Sequence, residues 1–460
     1  MTLNNTNWRQ ELQQLGKEYF VIQEMLRTGF LKLSPTDLQL MKDKIKELNQ
    51  VNTELGKLSQ ELKGLDDIAP LIQEIRKHRI IRVRAERAIR KVEREKAKAE
   101  RKAEITEKQK NTPTYLGEKI AVGLKYDDIN TELLQKNALP LIQNLSDLSE
   151  ATHLTREQLL WLSYHRKTAT IDHYTRFQIP KRKGGMRSIS SPKGKLRTAQ
   201  SWIEENILTR LPVHPAAMAF QAEKSIVHNA QIHAGQNIVM RIDLKDFFPS
   251  IKFLRVKGLF QSFGYSTGMA TVFALLCTDA MRIGATLDEK KYFVALGERY
   301  LPQGACTSPA ITNLICRKLD NRLYKLAESL GWRYSRYADD LVFSNAENEA
   351  DLKKLSGLVR KILSEETFEI NEEKTLVMRP HQRQTVTGVV VNGGEMRLSK
   401  RDIRKFRAFL HQYTLHGVEA MSKKIGKNAT QYAKGYWSFM HMVSPSQAEK
   451  FKQQYAWLVS

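Results

Sequence analysis

The chain has 460 residues, 41% of them hydrophobic, and its 74 Lys and Arg outnumber 50 Asp and Glu to give a net charge of +24. That length allows two or three compact units, and no apolar run approaches the roughly 18 residues needed to span a bilayer, so no membrane association is expected. A cationic excess of this size repels itself unless it meets polyanions, which points to nucleic acid as the partner.

Cys277, Cys306 and Cys316 are unclustered and lack metal-ligand spacing, which argues for a reducing compartment and against a zinc site. The opening MTLNNTNWRQELQQ has no basic segment followed by an apolar one, so no secretory signal is expected and the expected location is the cytoplasm.

Residues 34–65 read as one long helix. Ser34 can cap it, Pro35 suits the first helical position, and Asp37 meets the free amides and the positive helix end. Leu38, Met41, Ile45, Leu48, Val51, Leu55, Leu58, Leu62 and Leu65 then recur at steps of three and four, a coiled-coil seam with one skipped step. Gly64, Asp66, Asp67 and Pro70 break it, and a second helix is expected through about Lys110. Its Ile72, Ile75, Val83, Ile89 and Val92 are placed to pack back on the first helix as an antiparallel hairpin. Beyond Arg94 the sequence is almost wholly Ala, Lys, Arg and Glu. Two readings of this charged helix stay open: a solvated face held by Glu/Lys pairs, or an arm that contacts RNA or self-associates. Residues 1–112 are thus expected to form an all-α, coiled-coil-like N-terminal extension.

The turn residues Asn111-Thr112-Pro113-Thr114 mark a linker. Thr155 and Gln158 then make a capping box, with Leu154 placed for a hydrophobic staple. Two strand-like runs from Tyr174 to Ser190 flank a basic Gly184-Gly185 turn. This hairpin carries Lys181, Arg182, Lys183 and Arg187, a set suited to holding a triphosphate. Further on, Asn229, Ala230 and His233 begin a helical run. His233 taken alone reads as a packed or hydrogen-bonded histidine.

Ile238, Val239, Met240 and Ile242 form a buried-type strand that ends in Asp243, an acid poorly explained by packing because a buried carboxylate needs a partner or a cation. Tyr337-Ala338-Asp339-Asp340 sits between two further strand-like runs, so that a hairpin tip points at least one carboxylate into a cleft. Together these acids supply hard anionic oxygens from separate elements, as two divalent ions require. Mg²⁺ is the expected ion, with Mn²⁺ as an alternative. The chemistry so implied is in-line nucleotidyl transfer, driven by positioning and charge neutralisation. Between the acids, Gln303 and Gly304 precede a helix start at Ser308-Pro309, and Gly304 permits close backbone approach to a nucleotide or template. Lys374 is placed to assist a leaving pyrophosphate.

This order of blocks resembles a prokaryotic reverse transcriptase of the retron family, from about Leu139 to the C-terminus. The hairpin from Lys181 to Arg187 is similar to the fingers motif, and Asp243 with Phe247 and Phe248 to the first palm motif. Gln303 to Pro309 resembles the template and nucleotide motif, and Tyr337 to Asp340 the second palm motif. Asn229-Ala230-Gln231-Ile232-His233 and Val386-Thr387-Gly388 are similar to two retron blocks and favour that family over group II intron enzymes.

The resemblance implies an α+β right-hand polymerase, with helical entry and fingers over 113–235, palm over 236–395 and helical thumb over 396–460. It implies Asp243, Asp339 and Asp340 as the catalytic acids, a metal set of Asp243, Leu244, Asp339 and Asp340, and Phe248 as a steric gate against a ribose 2′-hydroxyl. Lys183, Arg187, Phe248, Gln303, Gly304 and Lys374 are the nucleotide-binding candidates. Asn229, His233, Arg401, Arg404 and Lys405 are the RNA-binding candidates. Tyr432, Tyr436, Trp437 and Phe439 can pack the thumb or stack on bases, and packing is the assignment preferred.

Cys306 departs from the family pattern, where proline or a small residue is more usual, and no nuclease, ribonuclease H or protease segment is expected after the thumb. The implied partners are a structured non-coding RNA serving as template and primer, dNTPs, and a separate effector protein in anti-phage defence. Two alternatives remain: a defence reverse transcriptase without a dedicated RNA, and a non-catalytic RNA-binding scaffold.

Overall fold

The computed structural model describes residues 16–62, 69–118, 120, 124–181 and 184–459. Gly64, Leu65, Asp66 and Asp67 of the expected helix break, Arg182 and Lys183 of the basic turn, and the opening 14 residues lie outside them. Two compact units divide the chain, residues 1–103 and 104–460.

In the first unit, helix α1 (Lys17–Arg27) leans on α2 (Pro35–Glu61), where Lys42 Nζ stands 6.0 Å over the Tyr19 ring. Helix α2 starts where its residue types require. The Ser34 hydroxyl accepts the Asp37 N–H at 3.2 Å and Pro35 fills the first turn, a cap that contributes about 1 kcal/mol. Helix α3 (Ala69–Asn111) follows, 43 residues long. The expected antiparallel hairpin between them does not form. Leu48, Val51, Leu55 and Leu58 on α2 are exposed, as are Ile72, Ile75, Ile89 and Val92 on α3, and neither helix has a buried residue. Both helices exist, but among the described residues these apolar positions are covered by no partner.

The second unit opens with short helices α4 (Thr131–Lys136), α5 (Leu145–Thr152) and α6 (Arg156–Ser163), the last with the complete Thr155/Gln158 capping box. Strand β1 (Thr168–Ala169) precedes the hairpin of β2 (Tyr174–Pro180) and β3 (Met186–Pro192). Next come α7 (Gly194–Ile203), extended by a π turn over Glu204–Leu208, α8 (Ile226–Ile232) and β4 (Ile238–Leu244). After the short α9 (Phe247–Ser250), helices α10 (Phe253–Ser262) and α11 (Thr267–Cys277) lead to a long hairpin of β5 (Asp279–Leu287) and β6 (Lys290–Tyr300). Helices α12 (Thr307–Ile315) and α13 (Arg317–Ser329) then bring the chain to β7 (Arg333–Tyr337) and β8 (Asp340–Asn345). Helix α14 (Leu352–Glu365), β9 (Ile370–Met378) and the pair β10 (Thr385–Val386) and β11 (Val389–Val390) follow. The chain ends with α15 (Lys400–Ile425), kinked at Gly417, α16 (Ala429–Val443) and α17 (Pro445–Gln454).

One antiparallel sheet in the order β7-β8-β4-β9 organises the unit. Its face packs on α10–α14 through side chains such as Ile242, Phe260, Leu319, Leu323 and Phe343, all at most 2% exposed. Each such aliphatic or aromatic group contributes about 1.5–3 kcal/mol on burial. A second core, with Val239, Val342, Val386, Val389, Phe406 and Leu410, ties the other face to β10, β11 and α15. The unit is therefore α+β, a sheet clad by helices. The Tyr436 ring lies 4.5 Å from that of Phe406, tilted by 31°, and Trp437 Nε1 donates to the Ala448 carbonyl at 3.0 Å, so both aromatics pack the C-terminal helices.

Candidate active site

Sheet register assembles the acids. Antiparallel pairing of β4 with β8 sets Ile242 opposite Leu341 and Asp243 opposite Asp340, at the end of both strands. Asp339 follows in the turn between β7 and β8, and its carbonyl accepts the Leu244 N–H at 3.0 Å, which fixes the turn against β4. Ala338 enters that turn with φ +57°, a left-handed conformation uncommon for a residue with a side chain. Asp243 and Asp339 thereby share the floor of a cleft of about 910 Å³, with Leu244 beside them.

Charge in this floor is unbalanced. Burial raises the Asp339 carboxyl above its ordinary range, and the neighbouring Asp243 raises it further. Asp340 is pushed up to about 6, first by burial, then by Asp339 and Asp243, against the pull of Arg241. Arg241 Nε stands 3.8 Å from Asp340 Oδ1, and Lys374 Nζ lies 3.1 and 2.8 Å from the two Asp243 oxygens. With side chains so placed, no group of three or more His, Cys, Asp or Glu among the described residues is gathered to hold a metal unaided. The donors nonetheless fit a hard cation: Asp243 raises the pKa of both Asp339 and Asp340 across the sheet, and an ammonium already answers Asp243.

The walls come from the elements between the acids. The β2–β3 hairpin brings Lys181 and the exposed Arg187 to the cleft, and Arg187 is close enough to lower the Asp339 pKa; Lys183 lies outside the described residues. The Gln303 carbonyl accepts the Ser190 N–H of β3 at 2.8 Å. A Cβ on Gly304 would stand 2.7 Å from Ile189 Cγ2 and 3.1 Å from the Ser190 carbonyl oxygen, so only glycine lets this loop close on the hairpin. Phe248 is half-buried in the wall, its ring 5.7 Å from Phe247 and 6.3 Å from Phe220. Cys306 is part-buried against Ser201 and Gln200, and burial pushes its thiol pKa up, which keeps it unreactive.

The five RNA-contact candidates separate. Arg401, Arg404 and Lys405 are exposed on one face of α15, whose opposite face buries Phe406 and Leu410. Asn229 and His233 are fully buried, so neither side chain meets solvent or a ligand there. His233 Nδ1 lies 2.7 Å from Ser344 Oγ and Nε2 lies 2.8 Å from Ser335 Oγ, while the Ser335 hydroxyl donates to Asn229 Oδ1 at 2.6 Å. Because that serine hydrogen is spent on Asn229, Nε2 carries the imidazole proton and Nδ1 accepts from Ser344. The block clamps α8 to β7 and β8 beneath the acids. Thr387 Oγ1 donates to the Ile226 carbonyl at 3.2 Å, which joins the Val386–Gly388 block to the same helix.

Three residues of this neighbourhood carry no motif signal: Arg241, Asp320 and Arg336. The last two form a fully buried pair, with Arg336 Nε and Nη2 donating to the two Asp320 oxygens at 2.8 and 2.7 Å, and Tyr334 Oη donating to Asp320 Oδ1 at 2.9 Å. Deleting one partner of such a pair costs about 3–5 kcal/mol because a buried charge is left alone.

A two-strand acid floor facing a basic hairpin is the arrangement of a template-directed nucleotide polymerase. Residues 179–391 match the family model described as reverse transcriptase (RNA-dependent DNA polymerase). The Retron Mx162 reverse transcriptase of Myxococcus xanthus is 39% identical over 342 residues, 70% of this chain and 68% of the relative. Retron Mx65 reverse transcriptase of the same organism is 37% identical over 70% of this chain and 73% of its own length. The Retron Ec86 reverse transcriptase of Escherichia coli is 34% identical over 62% of this chain and 82% of the relative. The chain belongs to the retron reverse transcriptases and is an RNA-directed DNA polymerase. Divalent metal ions are general to the reverse transcriptase family.

Proposed function

We propose that this polymerase copies one cognate structured non-coding RNA, primes from a hydroxyl of that RNA, and leaves a short single-stranded DNA joined to it, as part of anti-phage defence with a separate effector protein. The observation that carries the catalytic part is the register that sets Asp243 beside the Asp339–Asp340 turn on the floor of a cleft walled by Arg187 and Gly304. Family membership supports the retron part.

In this reading Lys181 and Arg187 bind the triphosphate, Gln303 and Gly304 seat the nucleotide against the template, and Phe248 bars a ribose 2′-hydroxyl. Asp243 and Asp339, with the Leu244 carbonyl and Asp340 beside them, would hold two Mg²⁺ ions, which would acidify the primer hydroxyl and neutralise the leaving pyrophosphate. Lys374, freed from Asp243, donates a proton to that leaving group. Arg401, Arg404 and Lys405 track the backbone of the template-primer duplex.

Primer extension on an RNA template is expected to fall by at least about 10³-fold in the Asp339→Ala/Asp340→Ala variant, of the order seen when charge stabilisation of a transition state is removed. Unchanged DNA synthesis in that variant would overturn the catalytic assignment. Sequencing of nucleic acid co-purified from cells is expected to return one structured RNA carrying covalently attached DNA; a random RNA population would overturn the retron assignment.

A further inference from the structure

We propose that Arg336, held by Asp320, is a positioning residue that sets the catalytic turn for the polymerase reaction. The inference rests on the assignment of Asp339 to catalysis. Arg336 lies three residues before Asp339 and is 0% exposed, as is Asp320 on α13. Two nitrogens of its guanidinium are taken by Asp320, and the third, Nη1, reaches back to the Ala338 carbonyl at 3.4 Å. That carbonyl belongs to the residue held at φ +57°. A left-handed alanine persists only where its surroundings fix it. The guanidinium ties the carbonyl of that strained peptide to a helix rather than to its own hairpin.

The backbone of Arg336 ties the other side. Its N–H donates to the Ala216 carbonyl and its carbonyl accepts the Met218 N–H, both at 2.8 Å. The segment so anchored runs on to Phe220, which lines the cleft beside Phe248. Asn313 on α12 fixes it again, donating from Nδ2 to the Ala219 carbonyl at 2.9 Å. One residue therefore indexes the acid-bearing turn against α13 and against the wall on which the nucleotide rests. A hydrophobic replacement could fill the same space, but it could not hold the Ala338 carbonyl.

That difference makes the proposal testable, because a buried ion pair replaced on both sides by apolar groups of similar volume usually keeps its stability. In the full chain, Arg336→Met/Asp320→Leu and the charge-preserving Arg336→Lys are compared with wild type by thermal melting and by steady-state primer extension. Arg336→Lys is expected to melt within a few degrees of wild type, and the double variant somewhat lower, because Asp320→Leu also leaves the buried Tyr334 hydroxyl without its acceptor. Their kcat should fall on the order of 10–100-fold, the loss typical of a displaced reacting group, with KM for dNTP within about twofold. Should the double variant fail to fold, Arg336→Lys decides alone. Adding Ala338→Gly to Arg336→Lys, which lets the turn reach its φ without strain, is expected to restore part of kcat. Wild-type kcat in a folded variant, a loss confined to KM, or no recovery with Ala338→Gly would overturn the proposal. Failure of the catalytic assignment itself would show separately, as activity retained in Asp339→Ala/Asp340→Ala.

Discussion

His233 shows how a side chain in a polymerase signature can serve the fold rather than the ligand. Burial lowers its pKa to about 3, well below the ordinary imidazole value of about 6.5, so the neutral ring persists in the folded protein while the unfolded chain protonates. Between those values the unfolded state binds more protons, and stability therefore falls as pH drops below 6.5, by roughly 2 kcal/mol at pH 5. The ring should contribute no pH dependence above about pH 7.5. Denaturant melts of wild type and His233→Gln across pH 5 to 8 check this: the acid limb is expected to flatten in the variant. Asp243 was legible because it ends a short apolar run without a packing role, and Asp339 because it stands with Asp340 in a turn between two strand-like runs. Arg336 and Asp320 were not, because a charge within a strand and one on a helix 16 positions earlier look like ordinary surface residues until tertiary contact buries both.

Hairpins differ in how openly they announce themselves. The β2–β3 pair is readable from Gly184-Gly185 between alternating runs, and the register from Tyr174 opposite Pro192 to Pro180 opposite Met186 follows from it. The β5–β6 pair turns through Asp288 and Glu289, both at positive φ (48° and 62°), with no glycine or asparagine at either position, and so Asp288 alone was a weak local signal for it. The seat of Gly304 on β3 explains why the Gln303-Gly304 motif and the basic hairpin work together. Gly304→Ala is expected to push the loop off Ile189 and raise KM for dNTP about tenfold or more with little change in melting temperature. Nucleotide titration in primer extension reads this directly, and an unchanged KM would detach the loop from nucleotide binding.

The chain as a whole is more divided than a minimal polymerase needs to be. Residues 104–111 belong to the second unit, where Asn111 accepts from Ser146 Oγ at 2.8 Å and from Arg156 Nη1 at 2.7 Å, and Glu107 pairs with Arg156. A truncation should therefore begin after Ala103 and keep those last two turns of α3. Removal of residues 1–103 is expected to leave extension on a generic primer-template within about threefold of wild type. It should weaken assembly or partner binding, since the exposed rows on α2 and α3 are lost. Size-exclusion chromatography with light scattering, beside the extension assay, checks both halves. Abolished extension by a folded truncation would contradict the accessory role. The heptad spacing announced the helices correctly but not their mates, because periodicity states which face is apolar and not what covers it.

The two ends of the catalytic sheet meet. Gly235 N–H donates to the Val391 carbonyl at 3.0 Å and Gln384 Nε2 to the Asn237 carbonyl at 3.0 Å, so the segment just before β4 is held by the two flanks of the β10–β11 pair that follows β9. The chain thus enters and leaves its catalytic module through one doorway. Everything between is a closed circuit whose length can change without moving its ends, because lengthening a loop adds little closure entropy. Helices α15 to α17 follow that doorway and also pack on the sheet through the core of Val239, Val342, Phe406 and Leu410, so the floor of the cleft and the C-terminal helices share one apolar seam.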